Sequence, residues 1–318
     1  MLQGIKKGIN QWSFPDTMDL RSCFSLARDA GFDGVELVVA DVQGSARVSA
    51  GGGAEHLTLP MTYLGFYPYA NPEFTLESTA EEVKGIRELA DEFKIAIPSL
   101  ASVMPFIYAL SDPDQEVRRK GRGILATCLG FAGQLGAESL LVIPGLVTPA
   151  SSYDSSIPRV KESVEALIPV AEEHGVVLAL ENVWNQFFLS PPEFRDFIDS
   201  FDSDFVKAYF DVGNVVRTGI GEHWLRTLGK RVDKIHFCNF RGEVGNITGF
   251  TRHLLDGDVN WPSILGAMDA IGYSGWVTAE ITPPAPHYPE KVIYDIASTM
   301  DWMFSAYGGE DALKGRSA

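Results

Sequence analysis

At 318 residues the chain exceeds a minimal domain, and its length suits either two domains or one large α/β barrel. Hydrophobic residues at 45% and aromatics at 11% supply a substantial core and argue against disorder. A formal charge of −16 argues against nucleic-acid or anionic-membrane partners, because phosphate groups demand clustered Lys and Arg.

The first residues, MLQGIKKGINQWSF, lack the apolar run and cleavage pattern of a signal peptide. No stretch of the chain is apolar for the eighteen or more residues of a membrane span. The three cysteines, Cys23, Cys128 and Cys238, are scattered and without CxxC spacing, which suits a reducing compartment. A soluble, cytoplasmic protein is expected.

Eight short apolar runs recur along the chain. They cover Ile5–Trp12, Gly34–Val39, Ile95–Ala101, Ser139–Pro144, Val176–Glu181, Phe205–Asp211, Val232–Cys238 and Trp276–Ile281. Each has the length and Val/Ile/Leu content of a buried parallel strand. Amphipathic helices are predicted between them, over Leu20–Ala30, Ala80–Phe93 and Val160–Glu173 among others. Gly31, Gly136 and Gly175 stand where C-terminal helix caps belong, and Ser190-Pro191-Pro192 reads as a helix start. Strand–helix alternation of this kind makes one parallel (β/α)8 barrel, residues 1–318, the leading architecture. An open doubly wound sheet would bring a glycine-rich phosphate loop, and no GxGxxG or GxxxxGK[ST] occurs; Gly51-Gly52-Gly53 reads as a flexible loop. Residues 41–79 form a long Gly-, Pro- and aromatic-rich insertion after strand 2, with Tyr63, Phe66, Tyr67, Tyr69 and Phe74. Such a segment suits a lid or an interface element.

Barrel strands end at the active-site mouth. Strand 5 (VVLALEN) ends on Glu181, strand 6 (VKAYFD) on Asp211 and strand 8 (WVTAE) on Glu280, while strand 7 (VDKIHF) carries His236. A carboxylate ending an apolar run is costly unless it is paired or metal-bound. Three converging carboxylates repel, and a divalent cation removes that repulsion; the imidazole favours Mn, Co, Fe, Ni or Zn over Ca.

The segments LALENVWNQFFLSPPEF, YFDVGNVVRTG, HWLRTLGKRVDKIHF and LLDGDVNWPSILGAMDAIGYSGWVTAE resemble the xylose-isomerase-like TIM-barrel family of sugar and sugar-phosphate isomerases and epimerases. That family also includes the endonuclease IV branch. The resemblance spans nearly the whole chain and is best from Gly175 to Ile281. It implies one divalent metal, Mn foremost with Co, Mg, Fe, Ni or Zn as alternatives, on Glu181, Asp211, His236 and Glu280. It also implies proton abstraction beside a carbonyl through a metal-stabilised cis-enediolate, with Glu181 and Glu280 as the acid–base pair. Two departures bear on the substrate. Many relatives follow the metal histidine with Lys-Asp where this chain has Cys238-Asn239, and some epimerases place a histidine where it has Asn214. The first tilts the reading towards an unphosphorylated sugar or glycoside.

Further substrate contacts are expected from Glu36, Asn214, Arg241 and Trp12, with a structural ion pair as the equal alternative for Glu36. Trp12 and Phe106 could stack on a sugar face. Trp184, His253 and His287 fall in loops at the mouth, and Asp258 reads as a helix cap. The competing activity is a lyase acting on 3-oxo-glycosides with a small partner subunit; a non-catalytic sugar-binding barrel ranks lower. Six histidines and the acidic charge count against a three-metal endonuclease. A carbohydrate substrate and a homo-oligomer are the expected partners.

Overall fold

The eight apolar runs become eight parallel strands, hydrogen-bonded in chain order into a closed barrel. They are β1 (Lys6–Asn10), β2 (Gly34–Val38), β3 (Ser99–Ala101), β4 (Ser139–Val142), β5 (Val177–Glu181), β6 (Val206–Asp211), β7 (Val232–Phe237) and β8 (Trp276–Ala279). The computed structural model describes residues 4–15, 17–40, 73–102, 104–281, 285 and 287–307. Its helices are α1 (Leu20–Ala30), α2 (Ala80–Phe93), α3 (Gln115–Leu135), α4 (Tyr153–Glu165), α5 (Ile168–His174), α6 (Pro191–Asp199), α7 (Gly221–Leu228), α8 (Trp261–Ala270) and α9 (Pro289–Tyr307). Pairing of β1 with β8 closes the ring, Lys6 opposite Trp276 and Ile9 opposite Ala279.

Local chemistry sets the helix ends. Thr79 and Glu82 form a reciprocal capping box at the start of α2, and Asp19 and Asp114 accept N-terminal amides of α1 and α3. Gly31, Gly136 and Gly175 take left-handed backbone at the C-caps of α1, α3 and α5, as expected. Ser190 precedes α6, but its side chain makes no capping bond.

The helix expected over Val160–Glu173 is two helices, α4 and α5, broken at Ala166-Leu167. Pro169 cannot donate to the preceding turn, so the helix restarts around it. The third strand is shorter than its apolar run: Ile95 and Ile97 are buried, but regular pairing begins only at Ser99. Of the insertion, residues 41–72 lie outside the described residues, including Tyr63, Phe66, Tyr67 and Tyr69. Phe74 is not a loop aromatic but core, fully buried against Phe131 at 5.5 Å.

Two glycines of α3 test the packing of its face. A Cβ at Gly121 would collide with the Tyr108 carbonyl, whereas Gly123 has open space around it. Alanine relieves about 0.5–1 kcal/mol of helix-interior glycine cost at either position. Overpacking against backbone costs roughly 1–3 kcal/mol and dominates at Gly121. Gly123→Ala is therefore expected to raise the urea midpoint and Gly121→Ala to lower it; shifts of the same sign would contradict this packing.

Candidate metal centre

Glu181 and Asp211 close β5 and β6, and His236 is the penultimate residue of β7. Glu280 follows β8 and extends its ladder, its N–H donating to the Phe237 carbonyl at 3.0 Å. Register places Asp211 directly beside His236. One ligand atom from each of the four residues lies within 4.8 Å of the others, a span suited to one cation at metal–ligand distances of about 2.0–2.6 Å.

The tautomer of His236 follows from its neighbours. Its Nε2 lies 2.8 Å from Glu36 Oε1, and an ionised carboxylate only accepts, so Nε2 carries the proton. Nδ1 is buried and has no hydrogen-bond partner among the described residues, although Glu280, Glu181 and Asp211 oxygens lie 3.3, 3.4 and 3.8 Å away. An orphaned imidazole nitrogen ringed by carboxylates fits a divalent cation and is otherwise a costly arrangement.

Supporting contacts hold each ligand. Glu36, entirely buried, accepts from Asn10 Nδ2 and, at 2.6 Å, from Ser99 Oγ. The His236 ring rests on Tyr209 at 4.3 Å. Asn182 bridges β5 and β6, its Nδ2 donating to the Asp211 carbonyl at 2.8 Å and its Oδ1 accepting the Asp211 N–H at 2.9 Å. Cys238 Sγ donates to both Asp211 oxygens, at 3.1 and 3.3 Å. Any Cβ at Gly213 would strike that sulfur, so glycine there is required by the contact. Trp12 Nε1 donates to Glu280 Oε1 at 3.0 Å, leaving Oε2 facing His236.

Burial and mutual repulsion shape the titration. Burial pushes Glu181 up to about 6, with Glu280 and Glu36 adding to the rise against the opposing pull of His236. Burial, then Glu280 and Glu181, raise Asp211 well above the carboxylate range. Burial opposes the charged imidazole, but Tyr209, Glu280 and Glu36 outweigh it and lift His236 well above its usual value. Burial likewise acts to raise Glu36 and Glu280, yet His236 and hydrogen bonds bring both below the usual value. Protons and a cation therefore compete for one position.

The sequence-predicted site residues divide clearly. The four ligands come together. Glu36 stands behind His236, buried, with one oxygen on the imidazole Nε2 and the other on Ser99 Oγ. Trp12 holds Glu280 through its indole N–H. Asn214 lines a side cavity, its N–H bonded to Asp211 Oδ1 at 2.6 Å. Arg241, exposed, is held by both carboxylate oxygens of Asp256 at 2.6 and 2.7 Å. Phe106 is core, and His253 and His287 are exposed. Asp258 does not cap α8; it accepts the Gly242 N–H at 2.7 Å, and Asn260 is the cap. Asn10, Ser99, Asn182 and Cys238 were missed as supports, because their partners lie on other strands.

A family profile described as "Xylose isomerase-like TIM barrel" matches residues 24–302. A 2-epi-5-epi-valiolone 7-phosphate 2-epimerase of Actinoplanes sp. is 28% identical over 142 residues, 45% of this chain and 49% of that protein. The match thus spans about half of that relative. A 2-oxo-tetronate isomerase of Pectobacterium atrosepticum is 23% identical over 230 residues, 68% of this chain and 79% of the other. Among solved structures, a D-psicose 3-epimerase superposes with a TM-score of 0.71 at 16% identity, covering 96% of this chain and 100% of that one. An L-ribulose 3-epimerase gives 0.72 at 16% identity and 99% of both chains. These two similarities establish the shared fold.

Two outcomes are expected. Glu181, Asp211 and His236 bind protons more tightly folded than unfolded, so the stability they add is present at low pH. It is lost as pH rises through their folded values, for Glu181 between 4.5 and about 6. Glu36 and Glu280 act oppositely, losing stability only as pH falls through their lowered values. The rise in Tm produced by Mn2+ should therefore be larger at pH 7.5 than at pH 5.5, and a pH-independent rise would place the ion elsewhere. Glu36→Gln should weaken Mn2+ binding roughly 10- to 100-fold by calorimetry without unfolding the barrel.

Proposed function

The chain belongs to the xylose isomerase-like TIM barrel family, and from that premise we propose that it is a divalent-metal-dependent isomerase or epimerase of a sugar or sugar derivative. One observation carries the reading. Of the four clustered ligands, Asp211 and His236 are closed off completely, while the side chains of Glu181 and Glu280 retain 8% and 18% of their surface. Two glutamates at the open side of a metal centre suit proton transfer; two sealed ligands suit holding an ion.

A divalent ion held by Glu181, Asp211, His236 and Glu280, Mn2+ in our reading, would supply polarisation of a carbonyl and its neighbouring hydroxyl. The remaining work falls to the protein. Each glutamate turns one oxygen to the cluster, Glu181 by Oε1 and Glu280 by Oε2. Glu181 Oε2 has no hydrogen-bond partner among the described residues, and Glu280 Oε1 accepts only the Trp12 indole N–H. One of these outer oxygens takes the proton from the carbon beside the carbonyl, and that C–H pair becomes the enediolate π bond. The other carboxyl group returns a proton to the opposite face of the same carbon in an epimerase. In an isomerase a proton goes to the former carbonyl carbon while the neighbouring hydroxyl proton passes to the former carbonyl oxygen, so that the carbonyl changes place. Positioned acid–base groups of this kind contribute about 10²- to 10⁴-fold each. The names of the two curated relatives specify a phosphate ester and an oxo acid, so anionic substrates belong in any screen.

The test is solvent-deuterium exchange by NMR in D2O with Mn2+, over free ketoses, sugar phosphates, 2-oxo acids of sugars and 3-oxo-glycosides. Exchange at carbon beside the carbonyl is expected with one class, and both Glu181→Gln and Glu280→Gln should reduce it at least 100-fold with the fold retained. Near-wild-type exchange in either variant would remove that glutamate from the mechanism. His236→Ala should lose bound Mn2+ by elemental analysis.

A further inference from the structure

A cavity of about 190 Å3 opens between the loops that follow β5 and β6. Two of its wall residues adjoin candidate metal ligands: Asn182 follows Glu181 directly, and Asn214 donates its N–H to Asp211 Oδ1. Among the described residues, Arg217 is the one ionisable residue on its wall, and no carboxylate lines it. That is a marked local reversal in a chain of net charge −16. The neighbouring cavity, on the other side of the β6 loop, has the opposite character, with Glu222 and Asp258 on its wall and no cation.

Arg217 is also held ready. Its guanidinium stacks over the Trp184 ring at 4.5 Å. Among the described residues it has neither a hydrogen bond nor an ion pair. Arg241, the arginine that the sequence pointed to at the substrate, is taken up by Asp256. Stacking uses the face of the guanidinium and leaves its in-plane N–H donors free for a planar or tetrahedral oxyanion. Trp184 is itself fixed, its Nε1 donating to the Asn214 carbonyl at 2.9 Å and its ring packed on Phe240 and Phe250 at 4.9 and 5.1 Å. The platform therefore costs little ordering when an anion arrives. A cavity this small is below the usual 300–1,000 Å3 of whole-ligand pockets, and suits one terminal group of a substrate anchored elsewhere.

We infer that Arg217, on its Trp184 platform, receives the anionic end of the substrate, a carboxylate or a phosphate, while the carbonyl end lies at the metal centre. This rests on the sugar isomerase or epimerase reading for the word substrate, but the anion site itself does not. Charge-assisted, forked contacts from a pre-oriented guanidinium are the strong form of such recognition.

The test uses Mn2+-loaded protein titrated calorimetrically at constant ionic strength with inorganic phosphate and, separately, with D-erythronate. Saturable binding of at least one anion is expected, weakened tenfold or more by Arg217→Gln and less by Arg217→Lys, with bound Mn2+ unchanged. Binding of phosphate alone assigns a phosphorylated substrate, of erythronate alone a sugar acid, and of both a shared oxyanion site. Equal affinities in wild type and Arg217→Gln, or no saturable binding of either anion to wild type, would overturn the assignment. Because the readout involves no turnover, failure of the isomerase reading shows separately, as an absence of deuterium exchange alongside intact anion binding.

Discussion

Three carboxylates and one imidazole nitrogen share the dry ends of four neighbouring strands, and the rest of the molecule is organised around that electrostatic problem. Two like charges about 4 Å apart cost on the order of 4 kcal/mol at an effective dielectric of 20. The fold can answer with protons or with a cation. The raised proton affinities of Glu181, Asp211 and His236 express the first answer. The orphaned Nδ1, aimed at the same point as the carboxylates, prepares the second.

Such a cluster holds only if its members cannot turn away. Ligands come from the later half of the barrel, β5 to β8, while much of the restraint comes from the earlier half. Glu36 on β2 reaches His236 on β7, supported by Asn10 of β1 and Ser99 of β3. Trp12, just past β1, steadies Glu280 beyond β8. Closure of the sheet through β1 and β8 therefore does more than remove exposed strand edges. It brings two halves of the chain, hundreds of residues apart in order, around one cluster of candidate metal ligands.

This division explains what could be read from the sequence. Strand ends are local: an apolar run stopping at Glu181, Asp211 or Glu280 announces itself, as does the C-cap glycine before the next strand. Eight apolar runs were enough for the barrel and for the four candidate ligands that the structure brings together. Supporting contacts are not local. Glu36 reads equally as a structural ion pair or a substrate contact until its side chain on β2 is seen to reach His236 on β7. Cys238 reads as the loss of a lysine, and its contact with Asp211 depends on the β6–β7 register. Arg241 reads as a free cation because Asp256 reaches it through the fold of the loop after β7. Pro169, by contrast, is a local signal: it stands in the first turn of α5, where a proline is tolerated and a helix restarts.

The replaced lysine bears on substrate charge in a way that changes with the structure in view. A buried thiol at position 238 donates to Asp211 and adds no charge to the mouth, so the strand 7 route to an anion is closed. Taken alone, that favours a neutral sugar. Yet the loop after β6 carries a cation with unspent donors among the described residues, Arg217, exposed and stacked on the Trp184 ring. Carboxylates surrounding the metal centre would repel an anionic substrate that approached without a counter-charge. A single forked cation one loop away offsets that repulsion for the distal end while leaving the reacting end to the glutamates. Absence of the lysine therefore does not by itself exclude an anionic substrate; in the reading proposed above, the charged group lies at Arg217 instead.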